Sequence, residues 1–369
     1  SPLFEYAPVA LMVVTVVGAT TCFVAATIGM TQFDIKRVIA YATMSQLGYM
    51  FFALGVSAYS AAIFHLMTHA FFKALLFLGA GSVIHAMSDE QDMRRMGGIW
   101  RKIPWTYGLM WIGSLALAGI PFFAGYYSKD LILESAFADH SWFGTYAFWL
   151  GIAAALMTAF YSWRLIFMTF HGRPRASAEV MSHIHESPWV MLGPLVVLAA
   201  GSVLAGFVGH EVFGGAVESR ETFWRDALLV LSANDTIEAA HHVPAWVKLL
   251  PIAVAAGGIG LAYVAYMMIP GLPGVVSTVF KPLYALFFRK WYFDEIYDAV
   301  VTRPLVRLGR RLWKSGDGTV IDGFGPDGIA SVTVDLARRA GRLQSGFVYH
   351  YAFAMLIGVV VMVSWYLYR

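Results

Sequence analysis

The sequence is poor in charge and almost free of cysteine. Only 13% of its 369 residues are Asp, Glu, Lys or Arg, against roughly a quarter in soluble globular proteins. So few charges do not cover the surface of a soluble protein of this length, which excludes a soluble enzyme or a disordered scaffold. The single cysteine, Cys22, has no partner for an internal disulfide and cannot by itself hold a metal cluster.

The N-terminal residues lack the basic region and the small-residue cleavage site of a secretory signal. The sequence opens at Ser1 and becomes apolar at Leu3, which predicts a fragment or processed chain whose natural start lies upstream. The net charge of +3 is too small for a nucleic-acid partner unless the basic residues are clustered. They are clustered, but the clusters lie beside apolar stretches and not on a nucleic-acid-binding surface.

Long apolar runs dominate the chain, with 59% hydrophobic residues and a mean hydropathy of +0.63. A membrane helix needs about 20 apolar residues to cross a hydrocarbon core of roughly 30 Å. No stretch shows the alternation of a barrel strand, so we predict an all-α polytopic membrane protein with about eight transmembrane helices. The eight apolar stretches are 3–30, 37–57, 60–86, 105–139, 143–170, 188–210, 245–270 and 348–368.

The connecting segments differ in charge. If the spans alternate in direction, the basic loops near Lys36–Arg37, Arg94–Lys102 and Arg173–Arg175 share one side, and the acidic loop 210–243 lies on the other. The positive-inside rule places the basic loops in the cytoplasm. We therefore predict a bacterial inner-membrane protein with a periplasmic C-terminus.

The third span carries an intramembrane lysine. His65, His69 and Lys73 are spaced i, i+4, i+8, which places them on one helix face over about 12 Å. A charge at the bilayer centre costs at least about 2.5–3.5 kcal/mol, and histidine titrates near neutral pH. This pattern favours a proton relay. One alternative is a polar network that only locks helices together; a metal site is disfavoured because no third ligand is nearby.

The fourth span, 105–139, is too long and contains Lys129 and Asp130. Its glycines and Pro121 predict a broken helix, with the break near 119–128. Broken helices at membrane depth line hydrated cavities in transporters. Lys129 is thus the second candidate proton carrier, with Asp130 as its counter-ion. The alternative is an interfacial turn whose charges snorkel to headgroups.

Lys36 opens the second span together with Arg37. A position inside the membrane would add it to the relay. Basic residues at the ends of spans, however, are commonly interfacial anchors. Both a relay role and an interface role remain open for Lys36.

The segment 271–347 carries too much charge to cross a membrane. Between Leu305 and Trp313, leucines recur at helical spacing among arginines, which predicts a long amphipathic lateral helix on the cytoplasmic side. Pro304 is expected to kink this helix, and the glycine-rich stretch 315–328 to interrupt it.

These patterns divide the chain into four regions. Residues 1–170 hold five spans, one of them broken near 119–128; residues 171–270 hold two further spans, 271–347 the lateral helix, and 348–369 an anchoring span. These boundaries rest on the spacing of the apolar stretches.

Several segments resemble the antiporter-like subunits of respiratory complex I and the related Mrp cation/proton antiporters. They are Asp34–Tyr41, Ser45–Met50, His65–Leu76 and Tyr127–Leu133. The stretch Trp291–Asp298 and the lateral segment that ends in one more span are similar to the subunit L branch of NADH–quinone oxidoreductase.

The resemblance implies that these eight spans are the second half of a sixteen-span subunit that moves protons. It also implies that residues 1–170 are the second antiporter-like half-channel repeat of that subunit. Lys73 with His65 and His69 would match the family's central polar axis, and Lys129 its outlet lysine. Redox chemistry would lie on other subunits, with no cofactor on this chain. The partners would be other membrane subunits, contacted along the lateral helix, and lipids. An Mrp-type Na+/H+ antiporter subunit and a structural clamp without transport are the alternatives.

Overall fold

The computed structural model describes residues 1–369, and its regular elements are helices apart from one isolated bridge between Asp34 and Asp92. The first nine helices are α1 Pro2–Glu5, α2 Pro8–Thr31, α3 Ile35–Gly55, α4 Tyr59–Ala86, α5 Pro104–Ala118, α6 Ala124–Ala138, α7 Trp142–Phe170, α8 Ala178–His183 and α9 Trp189–Gly214. The others are α10 Val217–Trp224, α11 Thr236–His241, α12 Ala245–Tyr263, α13 Leu272–Val279, α14 Lys281–Phe288, α15 Phe293–Tyr297, α16 Arg303–Arg311, α17 Pro326–Gly341 and α18 Val348–Leu367.

Seven helices, α2, α3, α4, α7, α9, α12 with its extension to Met268, and α18, are long and apolar enough to cross a membrane. The helices α5 and α6 have 15 residues each, or about 22 Å, so neither crosses alone. Together they make the eighth crossing. The predicted all-α membrane fold with one broken span is confirmed.

The chain divides into two compact units, and the first is residues 1–291. Its core is built mainly from α2 to α7. The backbones of α2 and α3 approach closely because Gly18 and Gly48 lie between them; a Cβ on Gly48 would lie 2.6 Å from the Cys22 nitrogen. Small residues at such contacts are the usual means of packing helices in a membrane.

The break between α5 and α6 follows from its sequence. Gly119 ends α5 in the left-handed region, with φ of 78°, a conformation that glycine adopts without steric cost. Pro121 then lies between the two helices, and Phe123 is the extended residue before α6. The break therefore falls inside the segment expected from the glycines and proline.

The basic loops lie together at one end of the first unit, which is called the basic end below. The Gly98 nitrogen donates to the His171 carbonyl at 3.1 Å, and Arg175 Nε donates to the Arg94 carbonyl at 3.0 Å. The loops after α4 and α7 are thus joined, and the Asp34–Asp92 bridge adds the loop after α2. This grouping agrees with spans that alternate in direction.

The acidic loop 215–244 lies at the other end of this unit, called the acidic end below. Thr236 Oγ1 donates to the Val56 carbonyl at 2.7 Å, which ties the loop to the turn after α3. The Leu231 nitrogen donates to Glu5 at 3.0 Å, so the N-terminal residues are part of the same end.

The second unit, residues 292–369, contains α15 to α18. It is helical from Phe293 to Asp322, through wider π-type turns at Asp298–Thr302 and Leu312–Asp322. The expected kink at Pro304 is replaced by the first of these wide turns. Such a turn offers room for the ring, which would clash with a carbonyl in a regular helix.

The glycine-rich stretch 315–328 does not interrupt the helix at its start. The helix continues to Asp322, because a glycine costs a helix only about 1 kcal/mol relative to alanine. The break comes at Gly325, whose ψ is −121°. Pro326 then begins α17 at a first-turn position, where a proline is tolerated.

Candidate functional site

The three titratable residues of α4 lie inside the protein. His65, His69 and Lys73 are 1%, 6% and 4% exposed. The rings of His65 and His69 have their centroids 6.0 Å apart, and Lys73 Nζ donates to the Ile39 carbonyl of α3 at 3.4 Å. The spacing seen in the sequence therefore gives one buried face that carries all three groups.

His65 connects α4 to two other helices. Its Nε2 lies 2.9 Å from Oε1 of Gln46 on α3, and its Nδ1 lies 2.9 Å from the hydroxyl of Ser128 on α6. Because the Gln46 oxygen can only accept, His65 Nε2 donates to it. The Ser128 hydroxyl also lies 2.7 Å from that of Thr68. His65 is thus joined by hydrogen bonds to the broken span.

Lys129 follows Ser128 and is 1% exposed. Its Nζ donates to the carbonyl of Ala118, the last residue of α5, at 2.7 Å. The final carbonyls of a helix have no partner within the helix, so the ammonium satisfies one of them. A Cβ on Gly119 would lie 2.7 Å from this Nζ, so glycine leaves the space that the lysine occupies.

Asp130 is 6% exposed, and neither of its carboxyl oxygens has a hydrogen-bond partner. Buried polar groups without a partner are rare in folded proteins. The burial of Lys129 and Asp130 also differs from that of an interfacial turn, whose charges would reach outward. The pair is therefore an enclosed acid and base at the break of the helix.

Lys36 does not join these groups. It is exposed in the first turn of α3, where the Asp34 side chain caps the helix by accepting from the Arg37 nitrogen at 2.9 Å. The structure favours the interface interpretation of Lys36 over the relay interpretation.

A small cavity of about 10 Å³ lies among α3, α4, α5 and α7, lined in part by Ile39, Leu76 and Ser114. Its lining is mostly apolar, and the hydroxyl groups of Tyr161 and Ser162 beside it both donate to Thr158. The cavity therefore offers few polar partners to a water molecule.

The chain is similar to known membrane proteins over nearly its whole length. The family model described as NADH:quinone oxidoreductase/Mrp antiporter, TM matches residues 1–158, and the model described as NADH dehydrogenase subunit 5 C-terminus matches residues 161–212. NADH-quinone oxidoreductase subunit L of Rhodobacter capsulatus is 47% identical, over 99% of this chain and 60% of its own length. The chain belongs to the antiporter-like subunit family of NADH:quinone oxidoreductases and Mrp antiporters.

One further relative and one solved structure are also similar to the chain. NADH-ubiquinone oxidoreductase chain 5 of Arabidopsis thaliana is 46% identical, over 99% of this chain and 55% of its own length. A chain in the structure of the Mrp complex from Dietzia sp. shares the fold, with a TM-score of 0.58 and 23% identity, over 88% of this chain and 33% of that one. The chain thus spans little more than half the length of the curated relatives it matches.

Sequence reasoning missed three residues of the site in this antiporter-like subunit. Gln46, Thr68 and Ser128 are fully buried and make the hydrogen bonds around His65. What could have identified them in the sequence is that each is an uncharged polar residue within an apolar span. Ser128 also precedes the candidate carrier Lys129 directly. The sequence alone does not say which of the many such residues face one another.

Proposed function

We propose that this chain is a proton-translocating membrane subunit of NADH:quinone oxidoreductase, respiratory complex I. The observation that carries the proposal is a run of buried groups from Lys73 through His69 and His65 to Ser128 and Lys129. Lysine, histidine and serine side chains can all pass protons. The printed names of the relatives from Rhodobacter and Arabidopsis place those proteins in NADH–quinone and NADH–ubiquinone oxidoreductases.

The proton would move along this run in short steps. Lys73 accepts a proton, the two histidines pass it on, and Ser128 brings it next to Lys129. Lys129 then exchanges between the Ala118 carbonyl, where it lies now, and the unpartnered Asp130 carboxyl group. Movement of one charge against 100 mV costs about 2.3 kcal/mol, which an electrostatic signal from a neighbouring subunit must supply.

The redox steps would belong to other subunits of the complex, and this chain would act as its non-redox pumping part. Its one cysteine is buried against Ser45, with the sulfur and hydroxyl oxygen 3.5 Å apart, while an all-cysteine iron–sulfur cluster needs four. The lateral segment would contact neighbouring membrane subunits, and α18 would contact lipid. No cofactor is expected on this chain.

The basic end would face the cytoplasm and the C-terminus the periplasm of a bacterial inner membrane. This orientation is proposed because the basic loops lie together at one end, and basic loops are typically cytoplasmic. In intact cells, a cysteine placed at the exposed Arg101 should react with an impermeant thiol reagent only after the membrane is opened, and one at Arg369 should react at once. The reverse pattern would show the topology to be inverted.

The proposal is tested with the purified complex in sealed vesicles. NADH oxidation should drive proton uptake at the same rate whether or not sodium is present. The fold that this chain shares with a chain of the Mrp complex supports a second candidate function, that of a Na+/H+ antiporter subunit. Sodium–proton exchange without NADH, together with no proton uptake on NADH addition, would favour that candidate instead.

A further inference from the structure

Glu134 is a carboxylic acid within α6 that the relay described above does not use. It lies four residues after Asp130 on the same helix, so the two side chains share a face, with Cβ atoms about 5–6 Å apart. Its side chain is half-buried, and it makes neither a hydrogen bond nor an ion pair. The carboxyl group of Glu134 is therefore not fixed by a bonding partner, and it lies close to Asp130, the buried acid of the site.

The position of Glu134 along α6 sets it between the buried pair and the acidic end. The helix runs from the break towards the acidic end, since the following α7 returns to the basic loops. Leu131 already lies level with Gly214, the last residue of α9, because a Cβ on that glycine would lie 2.6 Å from the leucine. Glu134 lies almost one turn further out. It is the next acid on the outward path from Asp130.

One exposed cation lies near this carboxyl group. Lys248, in the first turn of α12, acts electrostatically on Glu134, and its ammonium donates to the His241 carbonyl at 3.0 Å. The lysine and Glu134 form no ion pair within 4.0 Å. The acid is thus in electrostatic contact with the surface of the acidic end without being fixed by a short ion pair.

Structural roles explain Glu134 poorly. Glu134 lies in the second half of α6, where a negative charge gains nothing from the helix dipole. A half-buried carboxyl group without a donor also gains nothing from hydrogen bonding. An exchangeable proton is the remaining chemistry that this side chain offers.

We propose that Glu134 is the proton-release group of the relay. Asp130 in its acid form gives its proton to the Glu134 carboxylate, directly or through one water, so the O–H bond at Asp130 breaks and one forms at Glu134. Glu134 then gives the proton to water at the acidic end and returns to a carboxylate. The inference rests on the proposed function and adds to it the direction and the last protein group of the path.

The test uses the whole complex reconstituted in vesicles, with a pH-sensitive dye on the side that receives protons. Glu134→Gln keeps the size and polarity of the side chain but cannot carry the proton, so this chain's share of proton release should fall roughly tenfold or more. Glu134→Asp should restore part of the rate. The matched control is Glu211→Gln, an exposed acid at the same end, which should pump as the unaltered complex does.

Two outcomes would overturn the inference. One is normal proton release by the Glu134→Gln complex. The other is that the Glu134→Asp and Glu211→Gln complexes lose as much proton release as the Glu134→Gln complex does, which would indicate a structural effect. A parallel Lys73→Ala complex separates this inference from the proposed function. If Lys73→Ala stops pumping and Glu134→Gln does not, only the release group is wrong; if neither variant changes pumping, both proposals fail.

Discussion

Replacement of Lys73 by alanine is expected to abolish proton translocation by this chain while the complex still assembles. The lysine is 4% exposed and donates to the Ile39 carbonyl on α3, and it is the group at which the buried run on α4 begins. Without it the path loses a carrier over a gap of about 6 Å. Proton uptake per NADH by reconstituted complexes measures the effect, and we expect this chain's share to fall at least roughly tenfold.

Two further variants separate transport from folding. Lys73→Met fills the space that alanine leaves empty, and replacement of a buried charge by an apolar group of similar volume is often neutral for stability. Lys102→Ala removes an exposed lysine from the basic end and should leave pumping unchanged. Normal proton uptake in both Lys73 variants would favour the structural-clamp alternative, in which the lysine has no transport role.

The second large effect is expected at the broken helix. Lys129→Met should stop transport, because the proton then reaches Ser128 and finds no acceptor beside it. The same change leaves the Ala118 carbonyl without its donor, and an unsatisfied buried carbonyl costs about 1–3 kcal/mol. We therefore expect reduced thermal stability as well as lost pumping, measured by unfolding of the purified complex and by proton uptake.

Lys129→Arg distinguishes these two losses. Arginine keeps the positive charge and can still donate to the Ala118 carbonyl, but it does not release its proton in proteins. Stability should be largely restored while transport stays absent. Recovery of proton uptake by arginine would mean that Lys129 acts as a fixed charge and not as a carrier.

Much of this arrangement could be predicted from the sequence because it depends on local spacing. The face shared by His65, His69 and Lys73 follows from the helix repeat alone. The break before Lys129 follows from glycine and proline in an over-long apolar span. Both features involve residues close together in the chain, where the backbone geometry leaves few alternatives.

The rest depends on contacts between distant segments. The meeting of Gln46 and Ser128 at His65 requires the packing of α3, α4 and α6, which periodicity does not specify. Lys36 lies in the first turn of α3, and only the packing of the helices shows that its side chain is exposed. The wide turn before Pro304 is a choice between two helix geometries that differ little in sequence preference.

The hydrogen bond between His65 and Ser128 is the link on which the path between the two lysines depends. Its test is the number of protons translocated per electron by complexes with His65→Gln, Ser128→Ala and both changes together. If the two residues form one step, each single change lowers the ratio and the double variant is no lower than the worse single variant, because both break the same link. Unchanged ratios in the single variants, or losses that multiply in the double variant, would contradict a path through this hydrogen bond.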